Sequence, residues 1–105
     1  MEDFYCEEVL SGKTEVKKVF ETANVLAYHH THPFWETHIV VIPKTHVDNL
    51  MTVESGLLVE LLDVVKKVAA DVLNEKGAAR VLTNLGEYQD SKHLHFHVNS
   101  GRPLA

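Results

Sequence analysis

The chain has 105 residues, 45% of them hydrophobic and 24% charged, with a formal net charge of −5. That composition fits one globular domain over residues 1–105 and argues against disorder, while the acidic balance argues against a nucleic-acid binder, whose affinity rests on lysine and arginine. No apolar run approaches the roughly 20 residues that span a bilayer, and Met1-Glu2-Asp3 lacks the basic flank of a signal peptide, so the expected setting is cytoplasmic with no membrane partner. Cys6 is the only cysteine, which excludes an intramolecular disulfide and a CxxC zinc site and reads as a small buried hydrophobe.

Residues 3–10 predict a short helical turn ending near Ser11-Gly12, with Val9 and Leu10 as its packing residues. Residues 15–20 and 25–28 predict two short strands joined through Glu21-Thr22-Ala23-Asn24 as a hairpin. Residues 29–36 hold histidines, aromatics and Pro33 and read as a loop. His38-Ile39-Val40-Val41-Ile42 is short, β-branched and stopped by Pro43, the pattern of a central strand covered on both faces.

A period of three and four then runs over residues 53–75, with Leu57, Leu58, Leu61, Leu62, Val65, Val68, Ala69, Val72 and Leu73 as the apolar stripe. Thr52 is the expected N-cap and Gly77 the left-handed residue after the C-terminus. Residues 80–84 predict another strand, 85–92 a loop and 93–98 the last strand. The fold class expected from this order is α+β, an antiparallel sheet of about five strands with one long and one short helix.

The eight histidines fall in two regions, His29 to His46 and His93 to His97. In His93-Leu94-His95-Phe96-His97-Val98 a strand period of two puts the imidazoles on one face and the apolar side chains on the other. Neighbouring histidines would have Cα atoms roughly 6.7 Å apart and the outer pair roughly 13 Å apart, so only His95 is close to both others. Imidazole with an ordinary pKa of about 6.5 can act as nucleophile or general acid/base near neutrality, can ligate a metal, or can simply fill a polar strand face. A metal site would need His38 or His46 beside the triad, because one regular strand spreads three ligands too widely.

The run His93-Leu94-His95-Phe96-His97-Val98 resembles the signature of the histidine triad family. Thr37-His38-Ile39-Val40-Val41-Ile42-Pro43-Lys44-Thr45-His46 resembles that family's upstream strand, Asn84, Gly86 and Gln89 the loop before the triad, and Gly101-Arg102 the turn after it. The chain is most similar to the Hint-type nucleoside phosphoramidases. The resemblance implies a nucleotidyl hydrolase or transferase acting on nucleoside 5′-phosphoramidates or related α-substituted nucleotides, through a covalent nucleotidyl-histidine intermediate on His95. His97 and His46 would donate to the phosphoryl oxygens or the leaving group, and His93 would help fix the ring of His95. Gln89 would lie near the leaving group, with Asn84, His30, Val9, Tyr28, Asp90 and Ser91 binding substrate. No metal or other cofactor is implied, and the expected partners are the small-molecule nucleotide and a second copy of the chain in a homodimer.

Several positions depart from that pattern. His30 stands where Hint-type proteins usually carry the aspartate that holds the ribose hydroxyls, and a neutral imidazole does not replace a carboxylate accepting two hydrogen bonds. Cys6 stands where an aromatic residue is common, and Thr31 replaces an apolar one. Asp90 opposes a nearby phosphate unless it handles a cationic amine leaving group. Two other functions remain: a noncatalytic nucleotide- or phosphate-binding module on the same scaffold, and a histidine-rich metal-binding protein using His38, His46 and the triad.

Overall fold

The fold is seen in a computed structural model, which describes residues 5–104. Five antiparallel strands, β1 (Lys18–Glu21), β2 (Val25–His29), β3 (Trp35–Pro43), β4 (Arg80–Leu82) and β5 (Phe96–Pro103), form one sheet in the order β1-β2-β3-β5-β4. The long helix α1 (Ser55–Lys76) crosses between β3 and β4. The predicted turn over residues 3–10 begins outside the described residues; within them Tyr5–Val9 forms a π-helical turn. A second short turn, a 3-10 helix at Gly86–Tyr88, lies in the segment expected to be loop.

One face of the sheet packs on α1. Val25, Ala27, Ile39, Val41, Phe96 and Val98 from the strands, with Leu94, meet Leu61, Val64, Val65, Val68 and Val72 from the helix. These helix positions follow the 3.6-residue period, and burying them is what holds the helix on the sheet. The stripe is narrower than expected: Leu62 and Leu73 are exposed, and Val64 takes a core position instead. The helix also starts later than Thr52. Glu54 is the N-cap, its carboxylate accepting from the amides of Gly56 and Leu57, because Thr52 is spent closing the preceding turn with the Asn49 carbonyl at 3.2 Å. Gly77 ends the helix as expected, at φ 83°, with its N–H donated to Leu73 O at 2.8 Å.

The opposite face carries the polar row. Tyr28 pairs with Val40, Val40 with His97, and His97 with Leu82, so these four side chains share that face. Tyr5 and Val9 cover one end of it, packing with Leu26, Tyr28, Val40 and Ile42. β3 is longer than expected because Trp35 pairs with Pro103 and Thr37 with Ser100, drawing the end of the predicted loop into the ladder.

The largest difference from the expected fold is at the triad. β5 begins at Phe96, so His93 and His95 precede the strand and only His97 lies in it. The Leu94 amide donates to Val47 O at 2.6 Å, and Thr83 Oγ1 donates to His95 O at 2.7 Å. These bonds hold the segment extended outside the ladder. Alternation survives without the strand: Leu94, Phe96 and Val98 enter the helix-side core, while His93, His95 and His97 lie among the other buried polar groups.

Candidate active site

Two adjoining cavities open on the polar face. The larger, about 310 Å³, is lined by Tyr5, Tyr28 and residues 30–32 and 34, together with Asp90, Ser91, His95 and His97. The smaller, about 120 Å³, is bordered by Trp35, His38, Leu82, Asn84 and Asn99. Phe34, Asp90, His95 and His97 border both. The larger volume is at the lower end for small-molecule sites.

Main-chain partners set the imidazole tautomers. His95 Nδ1 lies 2.7 Å from the carbonyl oxygen of His93. A carbonyl only accepts, so Nδ1 carries the hydrogen and, in the neutral ring, the lone pair is on Nε2. A second chain starts at the Phe34 amide, which donates to His38 Nδ1 at 3.0 Å. Neutral His38 therefore carries its hydrogen on Nε2 and donates it to His97 Nδ1 at 2.8 Å. His97 is left with its own hydrogen on Nε2. The rings of His95 and His97 stand edge to face, 4.9 Å between centroids, and both border the two cavities.

Electrostatics keeps the second chain neutral. Burial, reinforced by His95, His38 and His30, holds His97 down at about 3. Burial and then His38, His95 and His32 hold His30 at about 4. His38 is lowered by the same causes, burial first and His95 second. Desolvation penalises the cation, and adjacent imidazoles penalise one another's charge.

The remaining sequence-derived candidates separate into three groups. Tyr28, His30, Asp90 and Ser91 line the larger cavity and Asn84 the smaller. Ser91 Oγ is buried with no hydrogen-bond partner among the described residues. Gln89 is buried but lines neither cavity; its Nε2 donates to Asp48 O at 2.6 Å and anchors the loop. Val9 is in the buried cluster with Tyr5 and lines neither cavity.

His93 and His46 form the third group, against Cys6. His93 Nε2 donates to Pro43 O at 2.9 Å, and its Nδ1 is 3.3 Å from Cys6 Sγ. His46 Nε2 is 2.7 Å from Asp48 Oδ1, with Nδ1 4.0 Å from the same sulfur. His46 thus packs beside the His93 ring, 5.2 Å away, and borders neither cavity.

His38, which the sequence reading assigned only to a metal, bonds the His97 ring at the cavity wall. Its parity with Val40 and Ile42 on β3 was the available signal, since all three share the face that carries His97. Tyr5 was missed as well, although its ring lies 5.0 Å from that of His95.

Two clusters among the described residues have metal-ligand chemistry: Cys6, His46 and His93, and His30, His38 and His97, each with ligand atoms within 4.8 Å of one another. His38 and His46 therefore sit in different clusters. In the first, both histidines turn Nδ1 toward the thiol while Nε2 is hydrogen-bonded outward, the orientation that metal-binding histidines adopt. In the second, the Phe34 amide requires the lone pair on His38 Nδ1, leaving a proton on Nε2, where His38 already donates to His97.

The HIT domain family matches residues 11–104. A 13.2 kDa HIT-like protein from Azospirillum brasilense is 39% identical over 91% of this chain and 84% of its own length. A histidine triad protein from Clostridium difficile superposes with a TM-score of 0.80 at 30% identity, covering 100% of this chain and 95% of that one. A HIT family hydrolase from Legionella pneumophila does so with a TM-score of 0.81 at 29% identity, over 96% and 94% of the two chains.

Proposed function

The chain belongs to the HIT family, and from that premise we propose that it is a hydrolase of nucleoside 5′-phosphoramidates, working through a nucleotidyl intermediate on His95. The observation that carries this reading is the His95 ring itself, bordering both cavities with Nδ1 tied to the His93 carbonyl, so that Nε2 is its nucleophilic atom.

Nε2 of His95 attacks phosphorus with its lone pair. The P–N bond to the amine breaks, and the amine takes up a proton from water in the open mouth of the cavity. The phosphoryl oxygens receive the Nε2–H of His97, a fixed donor whose orientation costs nothing at the moment of reaction. A water then displaces His95 from phosphorus and gives up a proton to solvent, leaving a nucleoside monophosphate and the free ring. Splitting one displacement into two is the gain from covalent catalysis.

His30, Tyr28 and Ser91 bind the retained nucleotide in the larger cavity, and Asn84 faces the smaller one. Gln89 acts by anchoring the loop that carries Asp90 and Ser91. His46 and His93 support the segment from behind.

Intact-mass analysis after mixing with adenosine 5′-phosphoramidate tests the reading. A nucleotidyl adduct is expected on the wild type and none on His95→Gly. Absence of turnover with any nucleoside phosphoramidate, alongside measurable nucleotide binding, favours the noncatalytic module instead.

A homodimer is the expected assembly. β4 is a three-residue edge strand with every residue exposed, and α1 leaves Val59, Leu62 and Leu73 exposed. Pairing two copies would cover a free edge and apolar surface together. Light scattering should give twice the chain mass; a monomer at micromolar concentration rejects the pair.

A further inference from the structure

Asp90 borders both cavities, and among the described residues it is the one acidic side chain in either lining, with no lysine or arginine in either. The nearest lysine in sequence, Lys92, turns its Nζ to the Gly86 and Gln89 carbonyls, 2.9 Å from each. His30, His38 and His97 are held neutral by burial and by each other. A site for a phosphoryl group thus offers neutral donors and one carboxylate. That carboxylate repels an anion unless the ligand brings a cation of its own.

We propose that Asp90 selects substrates whose departing amine carries a second, positively charged group, so that the preferred class is phosphoramidates of diamines or of other cationic amines. This rests on the hydrolytic reading above and adds the identity of the leaving group. Geometry supports the side chosen. Asp90 stands with Phe34, His95 and His97 at the junction of the two cavities, where the scissile bond would lie beside His95. Phe34, 54% exposed, adds an aromatic surface that attracts an ammonium group. A cation placed here is attracted by both a carboxylate and a ring face; an anion placed here is repelled by that carboxylate and has only neutral donors to offset it.

Three adenosine 5′-phosphoramidates test this, with propylamine, 1,3-diaminopropane or β-alanine as the leaving amine. The free ends are then neutral, cationic and anionic at similar length. One partly solvated charge pair gives a preference of about 3- to 10-fold. The expected order of kcat/KM is therefore diaminopropane above propylamine by that factor, with β-alanine below by a comparable one. The spread should shrink as salt rises from low to about 0.5 M. Asp90→Asn should bring the three together, Asp90→Glu should keep the order, and Asp90→Lys should invert it.

An unchanged spread in Asp90→Asn, with turnover intact, overturns the inference and leaves the hydrolase reading standing. If the wild type turns over none of the three, the hydrolase reading fails, and calorimetric binding of the same compounds still decides about Asp90. The same order with the same response to Asp90→Asn supports its role, whereas equal binding or none overturns it.

Discussion

His38 separates the stability of the site from its chemistry, because its two ring nitrogens serve different partners. Nδ1 accepts from the Phe34 amide at 3.0 Å, and Nε2 donates to His97 Nδ1 at 2.8 Å. Asparagine places an acceptor near the position of Nδ1, and glutamine places a donor near that of Nε2. His38→Asn keeps the Phe34 bond and strands His97 Nδ1; His38→Gln does the reverse. His38→Asn leaves a buried acceptor without its partner, which costs about 1–3 kcal/mol, or a fall in Tm on the order of 4–8 °C for each kcal/mol in a domain of this size; His38→Gln does so at a part-buried amide, at the lower end of that range. Thermal unfolding should therefore penalise both variants. Activity should not. In His38→Asn nothing holds the His97 hydrogen on Nε2, and losing a preorganised donor costs about 10²-fold or more in kcat. His38→Gln should stay within about 10-fold of the wild type. Steady-state kinetics on adenosine 5′-phosphoramidate, with nitrogen NMR of the His97 ring, reads both effects. Equal losses of kcat in the two folded variants would refute the tautomer relay.

Two further outcomes follow from particular groups. His97, held at about 3 against an ordinary value of 6.5, is neutral in both folded and unfolded chains above pH 6.5 and contributes nothing there. Below it the unfolded chain gains a proton that the folded one refuses, so stability falls until the pH nears the folded value, by about 2 kcal/mol for this ring between pH 7 and 5. Urea unfolding at both pH values should show a weaker pH dependence in His97→Asn, and an equal dependence argues against a buried neutral ring. At Gly77, where φ is 83° and an added Cβ would touch nothing within 4 Å, Gly77→Ala costs backbone strain alone. That strain is about 1–2 kcal/mol, and an unchanged Tm would argue against the left-handed cap.

The helix and the sheet were legible because burial repeats with the period of each element. Leu61, Val65, Val68 and Val72 recur at helical spacing and pack on Val25, Ile39, Val41 and Val98. Boundaries were less legible wherever a hydrogen bond rather than a side-chain pattern decides them. Thr52 has the chemistry of an N-cap, yet its hydroxyl closes the turn from Asn49 and leaves Glu54 to cap. The same holds in the site. Residue type and parity singled out His95 and His97, and the family resemblance added His30 and Asp90, all four of which line one cavity; neither gave the role of Gln89, whose amide bonds the Asp48 carbonyl. Nor could parity alone separate His38, which meets His97, from His46, which meets Asp48 and packs on His93.

What orients the proposed nucleophile is a main-chain atom, and that has a consequence for His93. The sequence reading gave the His93 side chain the task of fixing the His95 ring, but the partner of His95 Nδ1 is the His93 carbonyl, held in place from two sides. The Leu94 amide bonds Val47 O at 2.6 Å, and the His93 ring, fully buried, bonds Pro43 O at 2.9 Å. Any residue at 93 supplies a carbonyl; only one with a donor at the reach of Nε2 also keeps the Pro43 bond. Glutamine has such a donor. His93→Gln should therefore lose some stability from altered packing against Tyr5 and Cys6, yet retain the Nδ1–H tautomer of His95 and form the nucleotidyl adduct within about 10-fold of the wild-type rate, since the first contact of the reacting ring is unchanged. Nitrogen NMR of His95 and the rate of adduct formation by mass measure the two independently. A folded His93→Gln protein that no longer forms the adduct would return the positioning role to the imidazole of His93 and take it from its carbonyl.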